Sequence, residues 1–469
     1  MHDHPQPAGP LVADALSDFA SRLRYEDIPE TIREQAKHHI LDVVGICNAA
    51  AAYEFAGRTL AGLRRFGGGE SVIIGMHERL SLRDALLMNG VLAHGIDYDD
   101  TYLPGGLHPT ASCFPCALGV GAEHRVSGRE LLTAYVLGVE TAARVARVAG
   151  TQLLQIGFHP TGLIATFGCT LIAGRLLGAS TAQLTMAQGL ALSLAPCSSR
   201  EYSMDTAWNK RAHPGAAGIA GVTSATMAAE GFVGTQRPYE GRYGLYAIHL
   251  GDRAQEIDLA QITAGLGTQW EFSEVAIKPF PAGQMGIACL DAAIAIGRAH
   301  RIHSAEVKSI RALIPRQVIP IMCEPLEKRR RPPTPYAAQF SLPYGIACGL
   351  QRGRFTLDEI EEPVLSDPEI LDLASKFSYA IDPDTEYPKY YSGEVIVTLN
   401  DGRELRHRER INRGAKDHPV SAPEIRTKFM DNALRVMPRA RAEAIAATIL
   451  HLERIADVRD LARALAAPE

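Results

Sequence analysis

Two stretches of this chain, 161–178 and 214–230, are crowded with alanine and glycine and almost free of charge. Side chains that small let helix backbones come close, and with no polar face there is no side to turn to water. Both are therefore expected as buried helices in the middle of a bundle. A chain holding two such helices has to wrap them, and the flanking sequence supplies the wrapping. Val12, Leu16, Phe19 and Leu23 recur at helical spacing, as do Ile32, Ala36, Ile40 and Val43 after Pro29 at a first turn. Further helix starts are marked by Ser81 with Asp84, Ser127 with Glu130 and Ser180 with Gln183, where a side-chain oxygen can satisfy free first-turn amides.

From about Phe272 the texture changes. Prolines crowd 279–343, and short β-type runs such as 307–314 appear. Val395, Val397 and Leu399 alternate with polar neighbours before Asn400-Asp401-Gly402, a hairpin turn from which Arg403 to Arg406 returns. With a helix over 283–299, this region reads as α+β. After Gly414 the helical pattern resumes, opened by Ser421 with Glu424 and continued through 438–452 and 455–466. The expected fold is mainly α: a large all-helical domain over 1–272, a smaller α+β domain over 273–414, and a helical tail over 415–469 packing back on the first.

The length of 469 residues demands more than one core, and a 46% hydrophobic content can fill them. A net charge of −5 offers no field for phosphate backbones or anionic lipid, which excludes nucleic acid as an expected partner. The opening MHDHPQPAGP lacks the basic and apolar regions of an export signal, and charged or polar residues interrupt the apolar stretches before bilayer length, so no membrane span is expected. Eight scattered cysteines suit a reducing compartment, and the cytoplasm is the expected location.

The densest polar cluster is HGIDYDDTYLPGGLHPT, 94–110, which sets His94, Asp97, Asp99, Asp100, Thr101 and His108 in a loop after an apolar helix. Catalysis, helix-end capping and metal ligation are all open to it, although the spacing matches no zinc or calcium loop. GFHPTG, 157–162, places His159 at the start of an uncharged helix, where an imidazole can exchange protons near neutral pH. NKRAHPG, 209–215, puts Lys210, Arg211 and His213 directly before the second Ala/Gly helix; cations there oppose the helix dipole, and a bound anion would relieve them. Lys278 in IKPFPAGQ and Ser341 with Tyr344 in FSLPYGIA are weaker signals, and Cys113-Phe-Pro-Cys116 reads as small buried residues.

In this order and at these distances, HGIDYDDT with HPT, GFHPTG, KRAHPGAAGIAGVTSATMAAEGFVG, KPFPAGQ and FSLPYGIACGLQRG resemble the MmgE/PrpD family, as does HPVSAPEIRTKF near the tail. Its members include 2-methylcitrate dehydratase, cis-aconitate decarboxylase and iminodisuccinate epimerase. The resemblance runs nearly end to end. It implies a helical domain formed by both chain ends with a smaller α+β lid, usually in a homodimer, working without metal or cofactor. It also implies a site built from Asp97, Thr101, His108, His159, Lys210, Lys278 and Tyr344, with Arg211 and His213 beside Lys210, and a small polycarboxylate as substrate.

Lys210 and Lys278 are then expected to bind substrate carboxylates and stabilise an enolate-like anion. His108 and His159 would exchange protons, Asp97 would orient or compensate charge, and Thr101 and Tyr344 would position oxygens. A dehydratase-like lyase is the leading expectation, with a dicarboxylate epimerase or a cis-aconitate-type decarboxylase as alternatives and a non-catalytic carboxylate-binding protein behind them. The stretch after His108 reads Pro-Thr-Ala-Ser-Cys-Phe-Pro, not the HPSDN-like run of 2-methylcitrate dehydratases, which weakens that particular assignment.

Overall fold

The caps legible in the sequence start the helices of the chain. Ser81, Ser127 and Ser180 each accept a hydrogen bond from the amide three residues on, opening α2 (Leu82–His94), α4 (Gly128–Ala149) and α6 (Thr181–Leu194). Pro29 precedes α1 (Glu30–Ala50), and α3 (Thr110–Glu123) and α5 (Pro160–Leu176) complete the set that leads to α7 (Asn209–Ala229). The computed structural model describes residues 11–202, 207–300 and 302–468, so the MHDHPQPAGP segment read above lies outside the described residues. The fold is mainly α. Among the described residues no single helix is long and apolar enough to cross a membrane.

The chain divides into two compact units, the first ending at Gly95, resuming over Asp99–Val275 and closing with Ile425–Glu469, the second taking Ile96–Tyr98 and Ala276–Glu424. In the first, α5 and α7 are the buried Ala/Gly helices. Their small residues are there for contact: a methyl added at Gly215 would fall 2.5 Å from the Leu87 Cα on α2, and one at Gly168 would fall 2.4 Å from the Gly138 carbonyl on α4. The close approach brings the end of α2 and the starts of α5 and α7 together. One expectation needs correction here. α7 begins at Asn209, so NKRAHPG is not a turn before the helix but its first two turns, with Pro214 inside it. Pro214 is the sixth residue of the helix, past the amides left unbonded at any helix start, so it removes the bond that an amide there would donate to the Lys210 carbonyl.

The second unit is built on a four-stranded sheet. Its strands are β1 (Val307–Ile314), β2 (Phe377–Ile381), β3 (Gly393–Leu399) and β4 (Glu404–Glu409), in the order β2-β1-β3-β4. β1 runs parallel to β2 and antiparallel to β3, and β3 turns into β4 through the expected hairpin. α8 (Ile287–His300) covers the sheet, with α9 (Leu342–Arg352) against it so closely that Gly297 meets the Leu350 carbonyl. Cys113 and Cys116 are buried free thiols on α3, as read from the sequence.

Candidate active site

The loop between α2 and α3 separates three carboxylates that look alike in the sequence. His94, the last residue of α2, has Nδ1 2.9 and 2.8 Å from the two oxygens of Asp99, and both side chains are fully buried. A carboxylate accepts, so the hydrogen sits on Nδ1. Asp100 turns the other way: one oxygen lies 2.6 Å from His39 Nδ1 on α1 and accepts from the Thr110 hydroxyl, which meets the Tyr135 hydroxyl at 2.6 Å. The Asp100 main-chain carbonyl accepts from His108 Nδ1 at 2.7 Å, and the Thr101 hydroxyl lies 3.3 Å from the same nitrogen. A carbonyl cannot donate, so His108 carries its hydrogen on Nδ1, and in the neutral ring Nε2 holds the lone pair.

His159 is the residue just before α5, where Pro160 takes the first helical position. Its Nδ1 faces His213 Nδ1 at 3.0 Å and its Nε2 faces the Thr161 hydroxyl at 3.2 Å; that hydroxyl also accepts from the His108 amide. Two ring nitrogens at hydrogen-bond distance share one proton, so the pair cannot be doubly protonated in this geometry. The electrostatics agree. Burial, then the charge of Lys210, then the neighbouring histidines push His159 well below the usual imidazole range, and burial with Lys210 pushes His213 down to about 4. Lys210 is buried in the first turn of α7, so its charge acts on both rings through a medium poor in water.

The rings form one cluster. His94 and His108 centroids are 4.6 Å apart, His94 and His159 5.5 Å, His108 and His159 5.7 Å, and His159 and His213 5.2 Å. Ligand nitrogens of His94, His108 and His159 lie within 4.8 Å of one another, close enough to share a small cation. Chemically the arrangement offers neutral imidazoles able to take a proton, a buried ammonium able to hold an anion, and carboxylate or carbonyl partners that fix which ring nitrogen carries the hydrogen.

Family comparison settles what kind of chain carries this cluster. The MmgE/PrpD N-terminal domain matches residues 14–258 and the MmgE/PrpD C-terminal domain residues 280–454. The chain belongs to the MmgE/PrpD family. Among MmgE/PrpD relatives, it is 25% identical to the cis-aconitate decarboxylase-like protein oryM of Aspergillus oryzae over 97% of both chains. It is 24% identical to the cis-aconitate decarboxylase of Mus musculus, covering 97% of this chain and 94% of that one, and 27% identical to the Homo sapiens enzyme of the same name, covering 83% and 80%.

Of the positions that the MmgE/PrpD resemblance marked, His108, His159, Lys210, His213 and Thr101 are gathered in the first unit around the cluster. Two others meet in the second unit, where Lys278 Nζ donates to both the carbonyl and Oδ1 of Asp97 at 2.9 Å. Asp97 adopts a left-handed backbone, φ 48°, a conformation aspartate tolerates better than most residues, and so presents both oxygens to one ammonium.

Two further positions that the resemblance marked, Tyr344 and Arg211, make other contacts. Tyr344 is fully buried on α9 and its hydroxyl donates to the Glu359 carbonyl at 2.6 Å, a bond that ties the helix to the next turn. Arg211 donates from Nε to the Gly95 carbonyl at 2.8 Å and lies over the Phe55 ring at 4.4 Å, bracing the end of α2. Sequence reasoning named His94 and Asp99 only as members of a cluster and missed His39 entirely. For His94 the available signal was its place at the end of an apolar helix, five residues before a carboxylate. His39 is separated from Asp100 by 61 residues and carried none.

Proposed function

We propose that this chain is a lyase acting on a small polycarboxylate at a carbon next to a carboxylate, with decarboxylation of an unsaturated tricarboxylate of the cis-aconitate type as its leading reaction. The observation that carries the reading is the pair of imidazoles, the buried His159 and the half-buried His213, held neutral beside the Lys210 ammonium. The names of the relatives support the decarboxylase form.

An arriving carboxylate compensates the Lys210 charge. The imidazoles that charge kept neutral then gain proton affinity, so a proton enters with the substrate. In the decarboxylation, the C–C bond to one carboxylate breaks and carbon dioxide leaves. The bonding pair becomes a new double bond, and the old double-bond pair takes a proton from the imidazolium. His159 is the proposed donor, with His108, its Nδ1 hydrogen held by the Asp100 carbonyl, the proposed partner. Lys210 stabilises the negative charge that develops on the remaining carboxylate. Every group in this scheme is a side chain.

A second reading, dehydration, draws on the same neutral His159, because a neutral base is what abstraction of a proton next to a carboxylate requires. Proton NMR in deuterium oxide, with chelator-treated protein and cis-aconitate, citrate, 2-methylcitrate and iminodisuccinate, tests both. A methylene alkene from cis-aconitate supports decarboxylation, and vinyl signals from a saturated acid support dehydration. Exchange at the α-carbon with inversion would replace both with an epimerase, and silence across the panel would overturn the proposal.

A further inference from the structure

We propose that His94 and Asp99 form a buried imidazolium–carboxylate pair whose fixed proton keeps the His159 ring neutral until substrate arrives. Both are positioning residues, and the inference rests on the reading of His159 as the proton-exchanging group.

Three observations carry it. His94 Nδ1 is bonded to both oxygens of Asp99 at 2.8 and 2.9 Å, with neither side chain open to solvent. A buried carboxylate in that geometry is far costlier beside a neutral ring than beside a charged one. Second, the two histidines sit at opposite kinds of helix end. His94 closes α2, where the partial negative charge of the carbonyls favours a cation, whereas His159 opens α5, where the partial positive charge disfavours one. Third, the His94 and His159 ring centroids lie 5.5 Å apart, near enough for a charge on the first to act on the second.

The groups facing His159 are His94 from α2, His108 from the loop before α3, Lys210 and His213 from α7, and the Tyr202 ring at 6.1 Å. Those facing the pair include His108, whose Nδ1 is 3.6 Å from Asp99, Cys47 on α1, whose thiol burial and then the Asp99 charge push up, and His159 itself. Lys210 and His94 therefore press on His159 from two helices, and an anion at Lys210 removes one of the two.

Nitrogen-15 NMR of histidine-labelled wild-type protein at neutral pH reads the claim directly. The expected spectrum has both His94 ring nitrogens protonated and His159 neutral, assigned with His94→Gln and His159→Gln; a neutral His94 overturns the proposal. Asp99→Asn supplies a sign test. With the pair charged, the substitution removes the cation and the anion together, so the two changes offset and the His159 titration holds or moves up. If His94 were neutral, the substitution would delete only an anion and the titration would move down, contradicting the proposal. A charged His94 in protein that turns over no polycarboxylate would uphold the pair and overturn the lyase. A neutral His94 in active protein would do the reverse.

Discussion

The two units share one way of burying charge, and the first adds another. In the second, each buried ion has its counter-ion within bonding distance: Lys278 with Asp97 at 2.9 Å, Arg408 with Asp382 at 2.8 Å and with Glu394 at 3.2 Å, and Glu359 with Arg352 and Arg354 at 3.0 and 2.8 Å. The first pairs buried ions too, Arg144 with Glu140 and Lys428 with Asp42 at 2.7 Å, but there Lys210 also lies beside imidazoles and lowers their proton affinity. A charge matched by a counter-ion is spent on holding chain segments in place. A charge set beside imidazoles also tunes how readily they take a proton.

The sharpest break in that contrast comes from His159→Gln. Turnover of the substrate is expected to fall by about 100- to 10,000-fold, the usual worth of a positioned proton-transfer group, while the urea midpoint hardly moves. A variant that loses stability in proportion to activity would put His159 with the structural charges. Lys278→Met is the counterpart in the second unit. Removing one partner of a buried pair leaves the Asp97 carboxylate uncompensated, at a cost of about 3–5 kcal/mol in denaturation, and adding Asp97→Asn to it should recover part of the loss.

A smaller effect follows from His213, whose folded value near 4 lies below its ordinary 6.5. Between those values the unfolded chain binds the proton and the folded chain does not. The contribution of this ring is therefore fully present above pH 6.5 and is lost as pH falls towards about 4. His213→Gln should flatten the stability curve across that window, and an unchanged slope would mean the ring is not held neutral. The smallest change is expected from Tyr344→Phe, which deletes the bond to the Glu359 carbonyl. It should cost about 1 kcal/mol and leave turnover within a few-fold of wild type. A collapse of turnover would return Tyr344 to the chemistry.

What could be read from the sequence was what local physics decides. Ser81, Ser127 and Ser180 cap helices because the bond they accept comes from three residues away, and the Ala/Gly stretches form close-packed helices because composition alone forces the approach. The hairpin of β3 and β4 was legible for the same reason. β2 was not, because it pairs in parallel with β1 across more than sixty residues and carries no turn to announce it. In the loop after α2, the sequence supplied the right residues without their partners. Asp97, Asp99 and Asp100 are near neighbours in the chain, yet one binds Lys278, one His94 and one His39, and only the fold assigns them. Arg211 next to Lys210 looked equally suited to an anion, and the fold sets its guanidinium against Gly95 and Phe55.

The central claim, that neutral imidazoles beside Lys210 carry a proton into the reaction, meets its most direct test in wild-type and His159→Gln protein incubated with cis-aconitate in deuterium oxide and followed by proton NMR. The account predicts that the wild type yields a methylene alkene with one solvent deuteron taken up for each carbon dioxide released, while the folded variant is nearly silent. Undiminished product formation by His159→Gln would contradict it.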